Sequence, residues 1–500
     1  MNFKAKAKVF LKDKWNIAFL VLLLIAIIIR VRYIFSDSMW PDEALYVWYG
    51  YKLLHSPSYL FSTEFTHTIS YFPSILIAFF SIFTSSFAAG KITALLFGIA
   101  GIVFVYLLGK EMKDGFVGLL AAMFLTFNPI HWFYTDRVLL DAPLTAMFIL
   151  TAYCLIKFDK HMGRKWALYL AAAMALTMYT KVTGILVIPI VGLYFLLSHQ
   201  KNVLKLFKRR DFRWLIAGFV LMVAPLFIIN LVNFGGLTVE GAGRYVSSDD
   251  AGANRLQPTR DFIFVTSWYI LPLALLGIIF ALLYRKKEQY LLLSWFLGVY
   301  LFFTLLHPQS LDRYVLPGVV PLFLLAALSL DELRLLFERI SKKKLSKWLV
   351  VCVAILLVSP LYVLGNNLVN SRSDSYTGFK DAGTWLKENA EPGASIYTDS
   401  TRAIRVFSLK EDSDNNGELR GPAKTKEEFE RQIAREKLPV YLVVDVWEYI
   451  QPAWMFPLTQ EKVDYITSLG FQPVEVVSRP YQTEEGLQNV PIIVIFKKSA

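Results

Sequence analysis

The feature that most constrains this chain is a succession of apolar runs, many of roughly 17–22 residues, the length at which a helix crosses the hydrocarbon core of a bilayer. Such runs occupy residues 15–34, 87–108, 116–134, 139–156, 166–180, 184–197, 214–233, 263–284, 290–306, 315–330 and 348–364. With 55% hydrophobic and only 18% charged residues, the 500-residue chain is no ordinary soluble protein. The expectation is a polytopic α-helical membrane protein of about eleven spans. Cys154 and Cys352 both fall inside apolar runs and read as thiols that fill the core, not as a disulfide or metal pair.

The net charge of +12 has to be read by location, because basic residues in short loops set orientation. It carries no nucleic-acid motif and is not taken as a sign of a nucleic-acid partner. Lys4, Lys6, Lys8, Lys12 and Lys14 precede the first run and place the amino terminus in the cytoplasm. That first run is full length, so it reads as a retained helix and not a signal peptide. Residues 71–87 are apolar but contain Pro73 and Thr84-Ser-Ser86. If this stretch did cross, every later basic loop would lie outside; it is therefore read as re-entrant or interfacial.

Residues 1–365 then form a membrane domain with a first outer loop over 36–70. Residues 366–500 form a small extracytoplasmic α/β domain, with apolar strands alternating with amphipathic helices. Helices are expected over 381–388, 427–435 and 461–469, and strands over 394–398, 440–444, 473–477 and 490–496.

On this assignment the ionisable residues near helix ends collect on the outer face, while the inner loops are simply basic. Ionisable groups at such depths are costly unless paired or used. Four short motifs share that face in order: Trp40-Pro-Asp-Glu43, Arg137-Val-Leu-Leu-Asp-Ala-Pro-Leu144, Thr180-Lys-Val-Thr-Gly184 and Arg313-Tyr-Val-Leu-Pro317. Each has a structural reading of its own. Pro41 with two acids suits the first turn of a helix, and Glu43 can cap it. Asp141 before Ala142-Pro143 is a candidate N-cap, Arg137 a partner for Asp136 or Asp141, and Lys181 and Arg313 are candidates for snorkelling.

In order and spacing, residues 15–335 resemble the GT-C glycosyltransferases that use polyprenyl-phosphate sugars, with the protein O-mannosyltransferases and the aminoarabinose transferases of lipid A as the most similar groups. The resemblance implies an inverting transfer from a polyprenyl (dolichyl or undecaprenyl) phosphate sugar to an extracytoplasmic glycan, protein or lipid. Asp42 would be the general base, with Glu43 and Asp141 the other candidate catalytic carboxylates. Arg137, Lys181, Arg313 and Tyr314 would bind the donor. The basic residue that the lipid A enzymes carry before the helix following the first loop is missing; Glu64-Phe-Thr-His67 stands there, leaving His67 as a substitute. No His/Cys cluster suggests zinc, no cofactor is called for, and a divalent metal is helpful to such a reaction but not obligatory. Two other classes compete: a transporter or flippase of a lipid-linked solute, and a non-catalytic glycan-binding membrane protein. His307 is a possible proton relay. The Gly-rich stretch 234–261, with Arg244, Asp249, Asp250 and Arg255, reads as a lid.

Overall fold

The computed structural model describes residues 10–32, 34, 36–236, 255–306, 311–410, 418–448, 451–483 and 486–499. Most of the 234–261 stretch, and His307 with it, lie outside the described residues, as does the side chain of His67. The chain divides into two compact units, one of Met1–Ile34 and Gly50–Val369, the other of Phe35–Tyr49 and Asn370–Ala500.

The first unit is helical. Among the described residues, eight helices are long and apolar enough to cross a membrane, or ten if each of two bent pairs is one span. Arg164–Thr180, a further apolar-run helix, is 17 residues long. This is a multi-pass membrane protein. Helix Tyr71–Ser81 has 11 residues, or about 16 Å, which is too short for a core about 30 Å thick. The unit is built around Asp312–Ser341, which is buried without interruption over residues 315–327. It packs on Leu271–Tyr284, Lys287–Leu301, Gly115–Phe127 and Asp141–His161. A helix apolar on all faces is one that other helices surround.

Close backbone approach is arranged by small residues, as is usual between membrane helices. A Cβ on Gly109 of helix Ser86–Met112 would lie 2.8 Å from the Cα of Gly118 in Gly115–Phe127.

Two of the expected spans are broken. Gly115–Phe127 meets Pro129–Thr135 at 68°, and Gln257–Thr266 meets Leu271–Tyr284 at 104°. Backbone groups freed at such breaks need partners where water is scarce. Asn128 supplies them on both sides: its Oδ1 accepts from His131 N at 2.8 Å, and its Nδ2 donates to Val265 O at 2.6 Å. Arg30 does the rest. Its guanidinium donates to Thr126 O at 2.9 Å, Thr135 Oγ1 at 3.0 Å and Ala26 O at 3.3 Å.

The cysteines divide. Cys154 is buried, but Cys352 is exposed on helix Lys347–Ser373, so the expectation that both fill the core is corrected. An apolar run on a peripheral helix turns part of its circumference outward, and hydropathy cannot tell which part.

The second unit carries a five-stranded sheet of order β2-β1-β3-β5-β4, with β1 Ser395–Tyr397, β2 Leu419–Arg420, β3 Val440–Asp445, β4 Phe471–Thr483 and β5 Gly486–Lys498. Strands β2, β1 and β3 run parallel; β5 is antiparallel to both β3 and β4. Helices Lys426–Ile433 and Gln460–Ser468 cover a core that includes Tyr397, Phe429, Leu442, Trp454 and Phe496. All expected strands and helices of this domain are present, joined by two not foreseen, β2 and helix Thr401–Ser408.

Candidate active site

In the first unit, three segments far apart in sequence bring their charged residues together. Asp141 opens helix Asp141–His161, whose N-cap is Leu140, so its carboxylate does not cap that helix. It is bound from outside instead: Lys181 Nζ donates to Asp141 Oδ1 at 2.6 Å, and Arg313 Nε lies 3.9 Å from Asp141 Oδ2. Both members of the Lys181–Asp141 pair are buried, with side chains 11% and 4% exposed. The Tyr314 ring completes the group, with Lys181 Nζ 4.4 Å and the Arg313 guanidinium 5.4 Å from its centroid.

Local structure explains each position. Lys181 follows helix Arg164–Thr180 in extended conformation, before the 3₁₀ turn Val182–Leu186. That turn folds back tightly. A Cβ on Gly184 would stand 2.1 Å from the Thr177 carbonyl oxygen, which accounts for the glycine of the Thr-Lys-x-x-Gly motif. Arg313 and Tyr314 lie in the first turn of the central helix. There Asp312 accepts from Arg313 N at 2.7 Å and from the Tyr134 hydroxyl at 2.9 Å. Arg137, also buried, has its guanidinium 5.4 Å from the Phe133 ring centroid.

Asp42 and Glu43 belong to the second unit, through residues 35–49. Both lie in the first turn of helix Pro41–His55. Glu43 is fully buried and its Oε2 accepts from Trp40 N at 2.9 Å, the reciprocal half of a capping box. Asp42 is different: its side chain is 43% exposed, and Oδ1 lies 3.8 Å from Arg402 Nη1. Arg402 stands on helix Thr401–Ser408, where the buried Arg405 lies 5.1 Å from the Trp48 ring centroid.

Near Arg402, burial raises the Asp445 carboxyl above its ordinary range although Ser400 Oγ donates to it at 2.7 Å. Burial, then the charge of Asp445, does the same to Glu448, which Arg402 partly offsets. Arg30, Asp312, Arg402 and Arg405 escaped the sequence reading. An arginine inside an apolar run was the available signal for Arg30; the others carried none.

A divalent metal needs several oxygen donors directed at one point. Among the described residues no three His, Cys, Asp or Glu side chains form such a group. Asp141 is engaged by Lys181, and Asp42 lies beside Arg402.

Residues 71–229, which contain Arg137, Asp141 and Lys181, match the family model described as dolichyl-phosphate-mannose-protein mannosyltransferase. The chain is similar to ArnT from Cupriavidus metallidurans in the apo state, with a TM-score of 0.65 at 13% identity, covering 96% of this chain and 97% of that one. The chain has the GT-C fold. A second ArnT structure, bound to undecaprenyl phosphate, matches this chain equally, with a TM-score of 0.65, 13% identity and coverage of 96% and 98%. The archaeal oligosaccharyltransferase AglB from Archaeoglobus fulgidus, in complex with an inhibitory peptide and a dolichol-phosphate, gives a TM-score of 0.60 at 12% identity, covering 96% of this chain and 74% of its own. No curated protein matches the sequence.

Proposed function

We propose that this GT-C protein is an integral-membrane glycosyltransferase that moves a sugar from a polyprenyl phosphate to an acceptor hydroxyl on a glycan, protein or lipid. One observation carries the reading most: Asp141, Lys181 and Arg313, from three distant motifs, meet in one buried cluster beside Tyr314. Lys181 and Arg313 bring two cationic donors into one cluster, which suits a phosphate. The solved neighbours that contain undecaprenyl phosphate or dolichol-phosphate support the donor class.

In this reaction the acceptor oxygen attacks the anomeric carbon as Asp42 removes its proton. The bond from that carbon to the phosphate oxygen breaks, and the departing phosphate gains charge that Lys181 and Arg313 stabilise. A single displacement inverts the anomeric centre. Glu43 fixes the helix that carries Asp42. No step is routed through a metal. Basic inner loops orient the amino terminus to the cytoplasm and the carboxyl-terminal unit to the opposite side.

The test is transfer by purified protein in proteoliposomes, supplied with a panel of labelled undecaprenyl- and dolichyl-phosphate sugars. Turnover of one donor is expected, with Asp42→Asn slower by about 10²–10⁴-fold. Wild-type turnover by Asp42→Asn would remove Asp42 from the mechanism, and failure of every donor to bind or react would remove the donor class.

A further inference from the structure

We propose that Arg479, on β4 of the carboxyl-terminal domain, is a positioning residue for Asp42. The inference rests on the reading of Asp42 as the base. Residues 36–40 do not stand alone as a loop. Met39 N donates to Tyr376 O at 3.1 Å, Ser36 Oγ to Ser373 O at 3.0 Å and Trp40 Nε1 to Ser375 Oγ at 3.1 Å. Ser38 Oγ donates to Ser375 O, and the Trp40 and Tyr376 rings lie 6.3 Å apart. This lacing ties the segment to the end of helix Lys347–Ser373 and the turn that follows it, where Tyr376 has φ +56°.

Arg479 adds an anchor at the start of the same segment. Its Nη2 donates to Asp37 Oδ2 at 2.7 Å and to Asp381 Oδ2 at 2.7 Å. Asp37 Oδ2 also accepts from Gly378 N at 3.4 Å. One guanidinium thus joins the long strand β4, helix Phe379–Asn389 and the residues leading into the helix that bears Asp42. Both carboxylate bonds leave Nη2, while Nη1 donates to Ser478 O at 3.2 Å and holds the guanidinium to its own strand. Charge-assisted bonds at this distance are among the stronger polar contacts. The carboxyl-terminal domain is therefore part of the catalytic apparatus, acting through the placement of Asp42.

The experiment compares full-length wild type, Arg479→Ala, Arg479→Lys and Asp37→Asn. Misplacement of a catalytic group by about 1 Å costs up to about 100-fold in rate. Arg479→Ala should lower kcat about 10- to 100-fold with donor KM nearly unchanged, and Arg479→Lys, whose one ammonium can bridge Asp37 and Asp381, should restore part of it. Amide hydrogen exchange over 36–44 should accelerate while that of β3 and β5 stays as in wild type, which reports that the domain remains folded. Asp37→Asn should reproduce both changes, and the double variant should be no worse than either single one. Wild-type kcat together with wild-type exchange over 36–44 in Arg479→Ala would overturn the proposal. Asp42→Asn is run alongside. If it retains wild-type transfer, the base assignment fails whatever Arg479 does; if it slows transfer while Arg479→Ala keeps wild-type kcat, only the positioning role fails.

Discussion

Removing Lys181 separates the structural from the functional meaning of the buried cluster. Its amine lies 2.6 Å from Asp141, a gross attraction of about 6 kcal/mol at an effective dielectric of about 20. Arg313, at 3.9 Å from the other carboxylate oxygen, contributes about 4 kcal/mol on the same scale. Most of either figure is cancelled by the cost of taking the charges out of water. Stranding a buried charge costs about 3–5 kcal/mol. In Lys181→Met, however, Asp141 keeps Arg313, so the loss of stability should fall short of that, at about 2–3 kcal/mol. The effect on transfer should be larger: loss of one group that stabilises developing charge lowers kcat about 10²–10³-fold.

The double variant Asp141→Asn/Lys181→Met decides between the two meanings. With both partners gone, Arg313 still has the neighbouring Asp312 carboxylate, and thermal unfolding in detergent should return to within about 1 kcal/mol of wild type. Transfer in proteoliposomes should stay low, because the phosphate has lost its cation. If activity returned with stability, Lys181 would serve only as the counter-ion of Asp141 and the phosphate role would be refuted.

Glu43→Gln should retain the bond to Trp40 N and near-normal stability, whereas Glu43→Ala should lose about 1 kcal/mol, read as a lower unfolding temperature. Arg30→Leu should destabilise the membrane unit by about 2–4 kcal/mol, since the Thr126 carbonyl and Thr135 hydroxyl lose a donor at a helix break, and thermal unfolding reads it directly. In the carboxyl-terminal domain, the hydrogen bond from Lys497, then that from Tyr441, holds the Glu391 carboxyl down at about 2. A depressed carboxylate contributes stability above its unfolded value of about 4.5 that is lost as pH falls towards 2. The pair is well exposed, so Glu391→Gln should cost less than about 1 kcal/mol at pH 7, and by pH 3 the gap in denaturant midpoint should narrow.

Run length and loop charge carried most of the architecture, because a bilayer imposes a single length on what crosses it. They failed where a run conceals a break. Residues 116–134 are evenly apolar, yet the chain turns by 68° at Asn128-Pro129, a dipeptide that was a visible turn signal. At 263–284 the break falls at Ser267, with φ +72°, which apolarity alone does not mark. The cluster of Asp141, Lys181, Arg313 and Tyr314 was legible as motifs, although the capping reading of Asp141 gave way to a salt bridge that only the fold reveals. Arg402 and Arg479 were not legible. Their sequence surroundings are those of any polar surface, and their meaning comes from the segment 36–42 that reaches them.

That segment gives the protein an order of manufacture. The unit of Phe35–Tyr49 and Asn370–Ala500 is written in two pieces, with Gly50–Val369 between them. A ribosome working at about 5–20 residues per second needs on the order of 15–60 seconds to supply those intervening residues before the second piece emerges. Throughout that interval Asp42 has been synthesised while Arg402 and Arg479 have not. A chain stalled or cut short before Asn370 would carry the complete Asp141–Lys181–Arg313 cluster without the contacts that residues 36–42 make with residues 373–376, Arg402 and Arg479. Under the proposed function, incomplete copies in the membrane would bind donor without consuming it, and catalytic competence would be reserved for finished molecules.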